Sequence, residues 1–127
     1  MKIYMNAWFA KFANKERIGD AALCDAVDRA ERGLIDADLG GGVIKQRVAR
    51  EGAGKSGGFR TLIFFRRAER AIFALGFAKN DRANIDAADL SALKVAARQA
   101  LESSDAEIKA VAATGRLIEV KRGDKDL

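Results

Sequence analysis

The sequence predicts a small α+β domain, and three observations carry that reading. Apolar residues recur at helical spacing near the start of the chain and again in its last third. Between them lie three β-prone runs joined by short connections, the pattern of an antiparallel meander. With 127 residues, 49% of them apolar, the chain can bury a core without disulfides or a structural metal, so one domain over 1–127 is expected.

Taken in order, Lys2 to Met5 reads as a short first strand, followed by a short helix in which Trp8, Phe9 and Phe12 turn into the core. Asp20 is placed to cap a second helix whose apolar positions Leu23, Val27, Ala30 and Leu34 follow one face, with Gly33 near its end and Cys24 as a small packing residue. From Val43 to Ala49 the period changes to two. Ile44, Gln46 and Val48 alternate with Lys45, Arg47 and Ala49, so both cations point to one face of a strand. A glycine-rich connection leads to a strand over Phe59 to Phe65, and a turn at Arg66 to Arg70 leads to another over Ile72 to Phe77. Asp86 starts a helix carrying Leu90, Leu93, Ala97 and Leu101. Ser104 with Glu107 forms a capping box for one more helix, which Gly115 ends. Leu117 to Val120 supplies a last strand, and the tail from about 121 is expected to fray. No internal repeat or long linker interrupts this order.

Charge is unevenly placed. The net +5 conceals a middle segment, Lys45 to Arg82, with ten Lys/Arg against three acids, while the rest of the chain sums to −2. Such an excess is the footprint of a polyanion-binding surface, nucleic acid above all. A single cysteine, no signal-like apolar start and no run of about 20 apolar residues point to a reducing cytoplasm and no membrane. Without histidine, the usual zinc sites and the commonest general base are excluded, and neither a metal nor another cofactor is expected.

The run Gly52-Ala53-Gly54-Lys55-Ser56 resembles the end of a nucleotide-binding P-loop, but Ala49 stands where the leading glycine belongs, and a β-rich run follows instead of a helix. A flexible basic loop near a phosphate backbone suits it better. If the three middle strands pair in sequence order, Lys45, Arg47 and Arg60 on strands, Arg50 and Lys55 in the loop, and Lys79 beside Phe77 converge on a shallow cationic groove. Phe77 then either stacks on a base or packs in the core with Phe73 and Leu75 along one strand face. Arg66, Arg67 and Arg70, in the opposite turn, are expected to be solvated.

The segments Gly40-Gly41-Gly42-Val43-Ile44-Lys45-Gln46-Arg47-Val48-Ala49, Gly52-Ala53-Gly54-Lys55-Ser56-Gly57-Gly58-Phe59-Arg60-Thr61 and Gly76-Phe77-Ala78-Lys79-Asn80 resemble the RelE/HigB-like toxins of bacterial type II toxin-antitoxin systems. The resemblance is specific from about residue 40 to 101. It implies a RelE/ParE-like fold with a curved antiparallel sheet packed against N-terminal and C-terminal helices, mRNA cleavage on the translating ribosome, and a small antitoxin partner. By the same resemblance Lys45, Arg47, Lys55, Arg60 and Lys79 are the candidates for RNA contact or catalysis; with the groove reading added, Lys55, Arg60 and Lys79 are read as catalytic and Lys45, Arg47, Arg50 and Phe77 as RNA-binding. Members often place a late tyrosine or histidine in the site, whereas this chain has no histidine and its one tyrosine is Tyr4.

Metal-independent RNA cleavage requires a stabilised phosphorane and two managed protons. Arginines such as Arg47 and Arg60 clamp phosphate oxygens, while a lysine crowded by them has its charged form disfavoured, which suits Lys55 or Lys79 to proton transfer. Glu51 and Asp81, beside so many cations, are better read as ion-paired than as bases. Two other functions remain open: a ParE-like gyrase inhibitor on the same scaffold, and a non-catalytic nucleic-acid-binding module.

Overall fold

In the computed structural model, which describes residues 1–50, 54–78 and 86–122, a six-stranded sheet carries helices on both faces. The elements run β1 (Lys2–Asn6), α1 (Ala7–Glu16), α2 (Asp20–Glu31), β2 (Ala37–Gly40), β3 (Val43–Arg50), β4 (Gly54–Arg66), β5 (Arg70–Ala78), α3 (Ala87–Glu102), α4 (Asp105–Ala113) and β6 (Leu117–Glu119). Their order across the sheet is β2-β3-β4-β5-β1-β6. The α+β class holds, and β3, β4 and β5 form the expected antiparallel meander. The sheet as a whole is mixed: β1 runs parallel to β5, which is possible because the long intervening chain supplies the crossover that a parallel pair requires.

Two apolar layers follow from the alternation along the strands. On one face Ile3, Met5, Ile44, Val48, Phe59, Ile63 and Phe73 pack with Phe9 and Ala13 of α1 and with Leu23, Cys24, Val27 and Ala30 of α2. On the other, Tyr4, Val43, Leu62, Phe64, Ile72 and Ala74 meet Ala97 and Leu101 of α3 and Ile108 of α4. Cys24 is thus a core residue, as its helical position suggests. Trp8 is not: α1 turns Phe9 inward, and Trp8, 49% exposed, stacks on Phe12 at 5.5 Å between ring centroids. Leu34 is exposed as well, because α2 stops at Glu31 and the chain reverses through Gly33 at φ +86°.

The sheet extends beyond the strands that periodicity marks. β2 has no β-branched residue, and it forms because the Gly40–Gly42 turn folds it back on β3. β4 begins at Gly54, so the second half of the glycine-rich connection is strand, and no helix follows it as a P-loop would need.

Helix starts are set by side chains. Ser104 and Glu107 form the reciprocal capping box of α4, and Asp86 caps α3 through the Asp89 amide at 2.8 Å. Asp20 does not cap α2, whose N-cap is Gly19; its Oδ2 instead accepts the Lys121 amide at 2.9 Å. With Arg122 Nη1 donating to Asp28 at 3.0 Å, residues 121 and 122 are tied to α2, and the rest of the expected frayed tail lies outside the described residues.

Of the arginines in the β4–β5 turn, Arg70 is buried and not solvated, whereas Arg67 is exposed and Arg66 partly so, although each also clamps a helix end. Arg70, 7% exposed, donates to the carbonyls of Ala100 and Ser103 and to Asp105, Arg66 donates to the Leu101 carbonyl, and Arg67 to the Glu31 carbonyl. They satisfy helix C-terminal carbonyls that have no partner within their own helix. Among the described residues no helix is long and apolar enough to cross a membrane.

Asn6 performs two tasks. Its Oδ1 accepts the Phe9 amide at 2.7 Å as the N-cap of α1, and its Nδ2 donates to the Ala74 carbonyl at 3.1 Å. Asn6→Ala is therefore expected to cost about 2 kcal/mol of stability, against about 1 kcal/mol for Ser104→Ala, whose cap is exposed. Urea unfolding of the two variants checks the ranking, and equal losses would show that the Ala74 bond contributes nothing.

Candidate nucleic-acid interface

Gln46 anchors the strand that carries the first two cations. Fully buried, it donates from Nε2 to the carbonyls of Ala26 and Leu34 and accepts the Asp36 amide at Oε1, so none of its amide atoms is left without a bond. Thr61 of β4, also buried, donates to the Gln46 carbonyl at 2.8 Å. The Arg47 backbone is held from two further directions: its amide donates to Asp36 Oδ2 at 2.7 Å, and its carbonyl accepts from Arg29 Nη2. With Gln46 turned to the α1/α2 side, Lys45 and Arg47 emerge on the opposite face.

β4 and β5 complete the arrangement. Arg47 lies directly across from Arg60, and Arg60 directly across from Phe77, so the three side chains form one cross-strand row. Side chains so paired have Cβ atoms about 4.5–5.5 Å apart. Lys45 sits two residues along the same face, opposite Leu62.

Phe77 reaches this row only because of a bulge. Ile63 pairs with Phe73 and Leu62 with Leu75, which leaves Ala74 as an extra residue and reverses the alternation beyond it. Phe73 points to α1, where it meets the Phe9 ring at 5.1 Å, whereas Leu75 and Phe77 point to the α3 side. The three do not share a face, contrary to the simple period-two reading. Gly76, between them, faces Phe12 so closely that a Cβ would lie 2.5 Å from Cε2 of that ring.

Two arginines directly opposed on a sheet repel each other. Arg47 is partly neutralised by Asp36, 3.6 Å from its Nε, and remains 44% exposed. Arg60 is not. No hydrogen bond or ion pair joins its guanidinium to another described residue, and its Nη1 is buried and unsatisfied. Asp36 is a positioning residue that sequence reasoning missed, since nothing in the spacing reveals that the segment before a short edge strand returns to the β3 backbone.

The other expected site residues are placed only in part. Arg50 and Lys55 belong to β3 and β4, Arg50 pairing with Gly54 past an irregularity in register, but their side chains lie outside the described residues, as does Lys79 entirely. Glu51 and Asp81 lie outside them too. Among the described residues no group of three or more His, Cys, Asp and Glu is arranged to hold a metal ion.

Comparison with known families decides what scaffold this is. A family model described as the RelE toxin of the RelE / RelB toxin-antitoxin system matches residues 1–120, nearly the whole chain. The chain belongs to the RelE toxin family. It is thus a toxin of a toxin-antitoxin system, and the family implies an antitoxin partner. Comparison with curated proteins finds no match. In this RelE-family toxin the match covers all six strands and four helices named above.

A buried guanidinium nitrogen without a partner lowers the stability of the free protein. Arg60→Met, which keeps the stem and removes the charge, is expected to raise the unfolding free energy by about 1 kcal/mol. Denaturant titration of both proteins tests this, and a loss of similar size would mean that the guanidinium is satisfied in the free toxin.

Proposed function

We propose that this toxin is a metal-independent endoribonuclease that cuts mRNA on the ribosome and so inhibits translation. The observation that supports this best is the Arg47–Arg60–Phe77 row, with its unsatisfied Arg60 nitrogen on an otherwise packed sheet. A row of two opposed cations ending in an aromatic ring suits a phosphate flanked by a base. Arginines grip the phosphate oxygens in a planar fork, and the ring stacks on the base.

In the reaction the ribose 2′-oxygen attacks the adjacent phosphorus, its proton leaves to a base, the bond from phosphorus to the 5′-oxygen breaks, and that oxygen takes up a proton. Charge on the phosphoryl oxygens grows as the phosphorane forms. Arg60 and Arg47 stabilise this charge, and because Asp36 fixes the Arg47 backbone they need little reorganisation to do so. Lys45 and Arg50 hold neighbouring phosphates. Lys55 and Lys79 are the proton carriers in this proposal, since the described part of the row has no carboxylate besides Asp36, which is already engaged. The ribosome contributes by aligning the 2′-oxygen with the bond it breaks.

Single-turnover cleavage on programmed ribosomes tests the assignment. Arg60→Ala is expected to lower the rate by at least about 10²-fold, as loss of a transition-state donor does. Arg67→Ala, whose guanidinium serves the Glu31 carbonyl, should leave it near parental. Transcript ends mapped after brief expression should fall in codon phase. DNA damage in place of such ends would identify a gyrase inhibitor, and neither signal would leave a binding module.

A further inference from the structure

A second group of cations lies at the other end of the α3 side of the sheet. Arg66, Lys94 and Arg98 surround a depression of about 380 Å³ whose floor is the Gly41–Gly42 turn and whose remaining wall is Val95 and Leu101. Arg66 is fixed by its bond to the Leu101 carbonyl at 2.9 Å, and among the described residues it ion-pairs only with the exposed Glu69 at 3.7 Å, a weak pair in water. Neither Lys94 nor Arg98 makes a hydrogen bond or ion pair with another described residue. Of the other acids, the exposed Asp38 accepts the Gly40 amide at 2.9 Å, and the exposed Glu102, one turn beyond Arg98 on α3, forms no ion pair with it.

The turn is shaped for the lysine. Gly40, Gly41 and Gly42 all have φ between +63° and +87°, a region that glycine enters without penalty. A Cβ on Gly41 would lie 2.8 Å from Lys94 Cγ, and one on Gly40 would lie 3.4 Å from its Nζ. Bare backbone thus lets the lysine stem lie across the turn, with its ammonium over Gly40 and the residue lining the same depression as Arg66 and Arg98. Three cations line one depression, and the acids near it, Glu69, Asp38 and Glu102, are all exposed; among the described residues Glu69 is the one that ion-pairs with any of the three, so the arrangement favours an anion.

We infer that this depression is a second phosphate-binding site, which holds the RNA backbone at a point remote from the Arg47–Arg60 row. It goes beyond the proposed nuclease site but rests on the RNA-binding reading. The placement favours RNA over an acidic peptide. Arg60 and Arg66 project to the same face of β4 six residues apart, about 20 Å at the usual rise, with Leu62 and Phe64 between them covered by α3. A chain with evenly repeated charge reaches both sites at once, and the two arginine forks match phosphate oxygens. The exposed Val95 gives a sugar or base an apolar contact.

The test is the salt dependence of binding to a single-stranded RNA oligonucleotide. Lys94→Gln/Arg98→Gln removes two cations and keeps good helix formers. The slope of log affinity against log salt is expected to fall by about 1.4, from about 0.7 for each phosphate that is no longer neutralised. Lys11→Gln/Lys109→Gln removes the same charge from α1 and α4 and should leave the slope near parental. Arg98→Gln alone, at an exposed and unpartnered position, should give about half the effect and covers the case in which the double variant folds poorly. Inorganic phosphate should shift the Gly41 and Gly42 amide resonances of the parent but not those of the double variant. An unchanged slope in the double variant, or an equal fall in the control pair, overturns this site while leaving the nuclease proposal intact. Shifts with free phosphate and no change in RNA slope would reduce it to a small-anion site and overturn the RNA assignment. Weakened binding of a glutamate-rich peptide with unchanged RNA binding would assign the depression to a protein partner instead. Failure of the parent to bind RNA would overturn both readings.

Discussion

The hydrogen bond from Asn6 to the carbonyl of Ala74 links the two halves of this architecture. Asn6 ends the first strand and caps the first helix, and Ala74 is the extra residue that reverses the facing of β5. An unpaired carbonyl at a bulge within a buried sheet would be costly, and the asparagine amide removes that cost. The consequences reach both faces. Phe73 completes the aromatic contacts with Phe9, and Phe77 emerges two residues past Leu75 beside Arg60. Without the extra residue, Phe77 would join the α1 core and the cationic row would end at Arg60.

Cations in this molecule divide into those that hold the fold and those without an internal partner. Arg70, Arg66 and Arg67 serve helix-end carbonyls, Arg29 grips the β3 backbone, and Arg122 pairs with Asp28. Arg60, Lys94 and Arg98 have no such engagement with described residues. Composition counts both groups alike, although the second is the more available to a polyanion, and Arg66 of the first also lines the depression beside α3. The local excess of charge in the sequence therefore overstates the binding surface within the β4–β5 turn and understates it on α3, which lies beyond the basic segment.

The elements with strong local signals were legible. The capping box of α4, the cap at Asp86, the alternation of Ile44, Gln46 and Val48 against Lys45 and Arg47, and the meander of β3 to β5 all rest on neighbours in sequence. The register that sets Arg47 against Arg60 follows from pairing those strands in order with a short connection. What failed was reading Asp20 as a cap, Trp8 and Leu34 as core, and Arg70 as solvated. For three of these, local pattern left two placements open and a distant partner chose between them: Lys121 for Asp20, Phe73 drawing in Phe9 rather than Trp8, and the end of α3 for Arg70.

The sequence alone determined the α+β class, the basic middle, the facing of Lys45 and Arg47 and the family resemblance, because periodicity, charge and short motifs are properties of neighbouring residues. Tertiary structure alone decided that β1 lies parallel beside β5, that a bulge turns Phe77 toward Arg60, and that Lys94 and Arg98 meet Arg66 over a glycine turn. These features depend on which buried polar groups find partners across the fold. That matching is a property of packed surfaces, and no window of sequence contains it.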